Sequence, residues 1–500
     1  MAEMKALQRL EEIDREIVLV SHISGVLEWD QEAVPPMGTE ERSRQQGWLE
    51  RKLHDLVASD EMGMILATLG ADDSHVDGAP SLDDRSKALV RLRYASWNRE
   101  RKLEADFVQK FAETTGKAHH LWANARKADD FSLYQPILSE IVTLVREKAQ
   151  RYGYVESPYD PLLDRFEPGT TTKDVSEVFG VMKADLQALI DELKGRPLAD
   201  DSFLYLKYPE DKQALFGKEV LTAMGFDFNR GTTGISTHPF TTSIGSDDIR
   251  LTTRYTEPSI TSPLFGTIHE GGHALYELGA SNTVTRGTSL AGGTSLAMHE
   301  SQSRLWENIL GRSRPFWNRF FPRLKELFPV QLEGVDIDRF LAAINRVEPS
   351  FIRMDADEVT YGLHIILRFE LECALLAGSL EVKDLPQAWN DAMVRLLGVR
   401  PKSAREGVLQ DVHWSMGELG YFPTYALGNL YGAQINQTMR SQIDVDALLE
   451  SGRLVEITHW LDANIYRHGS IYRPKQLLEN VTGKPLDPRW FSKYLSAKYL

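Results

Sequence analysis

Apolar residues along this chain recur mostly at intervals of three and four, the spacing that lines one face of a helix. Residues 174–195 show the pattern: Val175, Val178, Phe179, Met182, Leu186, Leu189, Ile190 and Leu193 share a face. Thr171 and Asp174 stand at capping-box spacing ahead of it, while Gly195 and Pro197 mark its stop. Similar stripes predict helices over 3–20, 86–127, 136–150, 300–311, 339–346, 358–377 and 384–397. Each stripe reads as a face turned to the core rather than as a cofactor site. Residues 196–217 are polar and irregular, as a linker or surface loop would be, and no repeat or low-complexity tract is present.

One segment changes period. In "STHPFTTSIGSDDIRLTTRYT" (236–256) β-branched residues alternate on both sides of a Gly-Ser-Asp-Asp turn, which predicts a β-hairpin. Such a strand could accept an extended peptide along its edge. The helical period then returns in "LFGTIHEGGHALYELG" (264–279), with two glycines in the middle of the helix. Each interior glycine costs roughly 1 kcal/mol relative to alanine. Gly271 and Gly272 therefore predict a close approach of another backbone, a second helix or the hairpin, beside the HEGGH helix. The fold class is mainly α, with a small hairpin or sheet next to that helix.

Composition narrows the function classes. The chain has 500 residues, 42% hydrophobic and 26% charged, the balance of a globular protein with a large core. Its 57 basic and 72 acidic residues give a formal charge of −15, which disfavours nucleic acid and anionic membranes as partners. Cys373 stands alone, so no intramolecular disulfide forms. The N-terminus is charged without the apolar core of a signal peptide, and no apolar run approaches a membrane span. A cytoplasmic location is the expectation.

The chemistry centres on residues 269–273. His269 and His273 are four apart, so both project from one helical face and can share a metal, for which zinc is the first expectation. Cobalt or manganese remain alternatives at such a donor set. Glu270, roughly 100° round the helix from His269, is placed to take a proton from water and return it to a leaving amine. A third ligand is needed. Glu277 continues the i, i+4 series but lies about 12 Å along the helix from His269, too far to join it. "SLAMHESQSRLWENI" offers Glu300, 27 residues beyond His273, with His299 as its competitor; adjacent residues diverge, so only one faces the metal.

Several ordered motifs accompany this core: His238-Pro239-Phe240, Asp248-Ile249-Arg250-Leu251-Thr252, HEGGH, HESQ (299–302), IRMDAD (352–357) and GVLQDVHW (407–414). Weaker ones are "LEWDQEAVPPMG" (27–38), "YDPLLDRFEPGTT" (159–171) and "GELGYFPTYALGN" (417–429). With them the chain resembles the carboxypeptidase Taq family of zinc metallocarboxypeptidases over nearly its whole length. The resemblance implies a single helical domain over 1–500 with a deep substrate groove, walled or capped by the N-terminal helices. It also implies a homodimer that removes single residues from peptide C-termini, with one zinc per chain. His269, His273 and Glu300 become the metal ligands, and Glu270 the general base and acid.

By the same resemblance, Arg250 and Arg353 hold the substrate's terminal carboxylate, a role suited to a permanently charged guanidinium. Asp248 and Asp357 then orient those arginines. His413 with Tyr421 or Tyr425 supplies hydrogen-bond donors to the oxyanion, and Gln410 contacts the substrate backbone. His238 either lines the cleft or simply sits in the hairpin. Two alternatives are a metal-dependent oligopeptidase that cuts internally and a non-catalytic, metal-stabilised binding protein. Glu270 argues against the second, because a structural site needs no base.

Overall fold

The structure, a computed structural model, describes residues 1–33 and 38–500. Positions 34–37 of the "LEWDQEAVPPMG" motif lie outside the described residues. About 65% is helical, with one three-stranded sheet among the described residues. Among the described residues no helix is long and apolar enough to cross a membrane.

The chain forms two compact units, each assembled from three stretches. The first comprises residues 1–101, 200–344 and 435–483; the second comprises 102–199, 345–434 and 484–500. The predicted stripe over 86–127 is two helices, Asp84–Glu100 and Ala105–Ala128. Neither glycine nor proline marks the break. Glu104 adopts an extended conformation there, three residues after the chain leaves the first unit. The stretch 196–217 is irregular only in part. It contains the passage back into the first unit, and the helix Glu210–Met224 starts within it, with two acidic residues in its first turn.

In the second unit, the helix Thr172–Leu193 has the predicted capping box, with Thr171 and Asp174 each bonding the other's backbone. Its buried face is Val175, Phe179, Met182, Leu186 and Leu189. That face meets the helix Tyr361–Ala377, where Phe179 and Phe369 pack edge to face at 5.4 Å.

In the first unit, the sheet consists of β1 (Gly231–Ile235), β2 (Thr241–Gly245) and β3 (Asp248–Thr253), in the order β1-β3-β2. β2 and β3 form the expected antiparallel hairpin, and β1 joins β3 in parallel. "GTTGI" lacks an alternating apolar pattern, which hides β1 from a periodicity argument. Its Gly234 is needed because a Cβ there would lie 2.7 Å from the Trp29 ring. The sheet lies against the HEGGH helix, Thr261–Ala280.

Candidate active site

The HEGGH helix is buried along most of its length. A Cβ at Gly271 would come within 2.5 Å of Leu221 Cδ2, on Glu210–Met224. One at Gly272 would lie 2.7 Å from both Gln302 O and Ser303 Cα, on Leu296–Arg304. Gly272 meets the expectation of a close backbone, bringing that of the HESQ helix directly against HEGGH, whereas Gly271 makes room for the side chains of Leu221 and Met224 instead.

That approach assembles a three-residue donor cluster. His273 Nε2 and His269 Nε2 lie 3.4 Å and 3.7 Å from Glu300 Oε2. One donor atom from each residue lies within 4.8 Å of the other two. Ser295 caps the helix carrying Glu300 by accepting from Met298 N.

The outer nitrogens of the two histidines show which tautomers they hold. His269 Nδ1 is 2.8 Å from Glu307 Oε2, and a carboxylate can only accept, so the proton sits on Nδ1. His273 Nδ1 meets His299 Nδ1 at 2.5 Å, and His299 Nε2 meets Glu277 Oε1 at 2.7 Å. Glu277 accepts from His299 Nε2, and with its ring proton there His299 accepts at Nδ1 from His273. Both Nε2 lone pairs are left facing Glu300, as metal ligands require. His299 is thus a partner of His273, and Glu277 supports it from behind. Neither role is visible from spacing.

Charge around the cluster favours ionised carboxylates and a neutral His273, while it raises the pKa of His269. Arg304 Nε binds Glu300 Oε1 at 2.8 Å and its Nη1 reaches Glu307 at 3.1 Å, while Oε2, turned to the cluster, also accepts from Ser303 Oγ at 3.3 Å. Burial pushes the Glu300 carboxyl up, but Arg304 and His269 outweigh it and hold it well below the usual range. Glu307 settles at about 2, burial being outweighed by Arg304 and His269. Burial, reinforced by His299, drives His273 down to about 3, while on His269 the carboxylates of Glu300 and Glu307 overcome burial. Two neutral imidazole nitrogens and one carboxylate oxygen are the donor set of hydrolytic zinc sites. Glu307 sits on a π-helical turn, Leu305–Leu310, a form frequent at functional sites.

Glu270 is 7% exposed, and burial raises its pKa above the carboxylate norm. Its Oε2 accepts from Thr241 Oγ1 of β2 at 2.6 Å.

Of the substrate candidates in this unit, Arg250 is clasped by Asp248 through Nε at 2.9 Å and Nη2 at 2.8 Å, as the paired motif implied. Arg250 also lies over the Trp29 ring, 5.5 Å from its centroid. The strand pleat puts Arg250 on the face opposite Leu251 and Thr253. His238 is exposed in the connection between β1 and β2.

The remaining candidates gather in the second unit. Arg353, 5% exposed, donates through Nε to Asp411 Oδ1 at 3.0 Å and lies over the Tyr425 ring at 5.2 Å. Arg368, fully buried, binds Asp411 Oδ2 at 2.7 Å and Gln410 Oε1 at 2.8 Å. Two guanidiniums thus share one carboxylate, which they hold far below its usual range against burial. His413 Nε2 stands 3.4 Å from the Tyr425 hydroxyl, and burial takes its pKa down to about 4. Tyr421 packs its ring against His413 at 5.3 Å and Phe166 at 5.1 Å.

The turn carrying His413 is anchored by Glu372. This buried carboxylate accepts from Trp414 Nε1 at 2.7 Å, Tyr159 Oη at 2.7 Å and Gly420 N at 3.1 Å. Burial raises it to about 7.

Two sequence expectations are corrected here. Asp357 does not orient Arg353: it accepts from Val359 N, Thr360 N and Oγ1, and Glu348 N, tying down the turn before Tyr361–Ala377. Asp411 holds Arg353 instead. Gln410 is not open to a substrate backbone. Its Oε1 accepts from Arg353 N and Arg368, and its Nε2 donates to the carbonyls of Phe351 and Glu406.

The profile of the carboxypeptidase Taq (M32) metallopeptidase family matches residues 9–499. Thermostable carboxypeptidase 1 of Thermus thermophilus is 40% identical over 99% of this chain and 98% of its own. Carboxypeptidase 1 of Bacillus subtilis is 36% identical over 96% of each. Among solved structures, Pyrococcus furiosus carboxypeptidase superposes with a TM-score of 0.95 at 37% identity, and the Deinococcus radiodurans M32 carboxypeptidase with 0.94 at 36%, each covering 99% of both chains. With a His-His-Glu donor set backed by matching motifs from end to end, the chain belongs to the carboxypeptidase Taq (M32) family of metallopeptidases.

Proposed function

We propose that this chain is a zinc-dependent carboxypeptidase that releases single amino acids from peptide C-termini. The observation that carries the reading is the convergence of His269 Nε2, His273 Nε2 and Glu300 Oε2 beside a buried Glu270. The three converging residues hold the ion. Bound there, it supplies Lewis acidity, acidifying water and polarising the scissile carbonyl. Glu270 takes the proton of the attacking water and delivers it to the departing amine. Its raised pKa suits both halves of that task.

Arg353 and Arg250 are assigned to the terminal carboxylate. Arg353 belongs to a buried cluster with one positive charge more than Asp411 neutralises, which favours an anionic ligand. His413, neutral above about pH 4, and Tyr425 or Tyr421 are assigned as donors to the oxyanion. A homodimer, resting on the family resemblance alone, and a cytoplasmic location, which the lone Cys373 fits, complete the proposal.

The test offers the enzyme a peptide with a free C-terminus and the same peptide amidated. Stripping with a chelator and restoring zinc, cobalt or manganese follows on the free peptide. Stepwise C-terminal trimming that needs metal and is lost on the amidated peptide is the expected result. Undiminished internal cleavage of the amidated peptide would instead make the protein an oligopeptidase.

A further inference from the structure

One of Glu270's two carboxylate oxygens is already engaged. Thr241 Oγ1 lies 2.6 Å from Glu270 Oε2 and 3.1 Å from the Glu270 carbonyl oxygen. Thr241 directly follows His238-Pro239-Phe240, and its residue type alone carries no catalytic signal.

Strand register explains why it is there. Thr241 pairs with Leu251 across β2 and β3, so the two side chains share a face of the sheet. Thr253, two residues beyond Leu251, lies on that face as well. Its hydroxyl meets that of Thr267 on the HEGGH helix at 2.8 Å, and Thr267 in turn donates to Pro263 O. The hairpin is therefore fastened to the helix at a second point, three residues before Glu270. Thr241 delivers its hydroxyl from a strand whose position is fixed, and its β-branch restricts the rotamer that aims it.

We propose that Thr241 is a positioning residue for the hydrolysis. Its hydroxyl holds Oε2 of Glu270 so that Oε1 alone is presented to the attacking water. This rests on the reading of Glu270 as general base. A glutamate has three side-chain torsions, and a short, charge-assisted hydrogen bond to one oxygen removes most of that freedom. The rate then gains from a geometry set before substrate arrives, and misplacement by about 1 Å can cost ~100-fold.

The experiment compares Thr241→Val, which keeps the shape and loses the hydroxyl, with Thr241→Ser, which keeps the hydroxyl. Steady-state kinetics on a free peptide are read beside zinc affinity by chelator competition. We expect kcat to fall about 10–100-fold in Thr241→Val, with KM and zinc affinity unchanged and near-full recovery in Thr241→Ser. Thr241→Ala reads the same quantity if the valine variant does not fold. An unchanged kcat in Thr241→Val overturns the proposal, as does a loss matched by weakened zinc binding in both variants. Glu270→Gln is measured alongside. Full turnover in that variant refutes the base assignment itself, whereas its inactivity beside an unaffected Thr241→Val refutes only the role of Thr241.

Discussion

His269, His273 and Glu300 aim lone pairs at one another, whereas Arg353 and Arg368 donate to Asp411 and so satisfy its carboxylate. Both clusters are buried and both are built from charged or titratable groups. The first leaves its inner donor atoms without protons to share and ties the outer ones to Glu307, His299 and Arg304, with one long hydrogen bond from Ser303 Oγ reaching the inner Oε2 of Glu300. The second matches guanidinium N–H groups to carboxylate and amide oxygens and leaves a surplus charge. The two clusters can thus be told apart by where their unsatisfied valence points.

Paired substitutions break that comparison most sharply. His273→Asn removes one inner donor, so zinc content should fall to background and turnover by at least about 1000-fold, the scale of losing the Lewis acid. Metal-free stability should change little. Asp411→Asn should do the reverse. Zinc content stays whole, while two buried guanidiniums lose their counter-charge at about 3–5 kcal/mol in denaturant unfolding of the metal-free protein. If Asp411→Asn empties the metal site, or His273→Asn unfolds the chain, the division of labour is wrong.

A smaller effect is expected one bond further out. Glu307→Gln loses the acceptor that fixes the His269 tautomer, because the amide can turn a donor towards Nδ1. Zinc affinity by chelator competition should weaken about 10–100-fold, with the fold intact by circular dichroism. Unaltered affinity would mean that His269 is oriented by the helix alone.

The last effect is a slope, spread over several pH units. Glu372 titrates near 7 in the folded chain against 4.5 when exposed. Its folded pKa is raised, so its contribution is fully present below pH 4.5 and is lost as pH rises through 7. The loss is about 3 kcal/mol. Glu372→Gln should flatten that part of the stability–pH curve. His413 runs the other way: folded near 4 against 6.5 exposed, it costs stability as pH falls through that window. Urea unfolding at closely spaced pH values resolves the two.

What the sequence made legible follows from range. The capping box at Thr171, the hairpin turn at 245–248 and the i, i+4 histidines are local patterns, and local patterns survive without the fold. Glu300 needed both the motif resemblance and its own spacing. Glu307, 38 residues from the histidine it holds, and Asp411, 58 from Arg353, bear no mark of their partners. The reversed assignment at Asp357 has the same origin. Proximity in the chain suggested an arginine partner, but the carboxylate was needed for the backbone donors of its own turn. β1 escaped notice because its glycines answer to Trp29 and Phe226, residues that only folding brings near.

Gly272 has a consequence for the spacing of the donor cluster. It meets main-chain atoms of Gln302 and Ser303, so the gap between the histidine pair and Glu300 is set by two backbones in contact. Side chains can rotate to accommodate a bulkier guest; a backbone seam cannot. The spacing of the donors is therefore written into the spine of two helices, and a single added methyl at position 272 would pry them apart, although that methyl would touch none of the three.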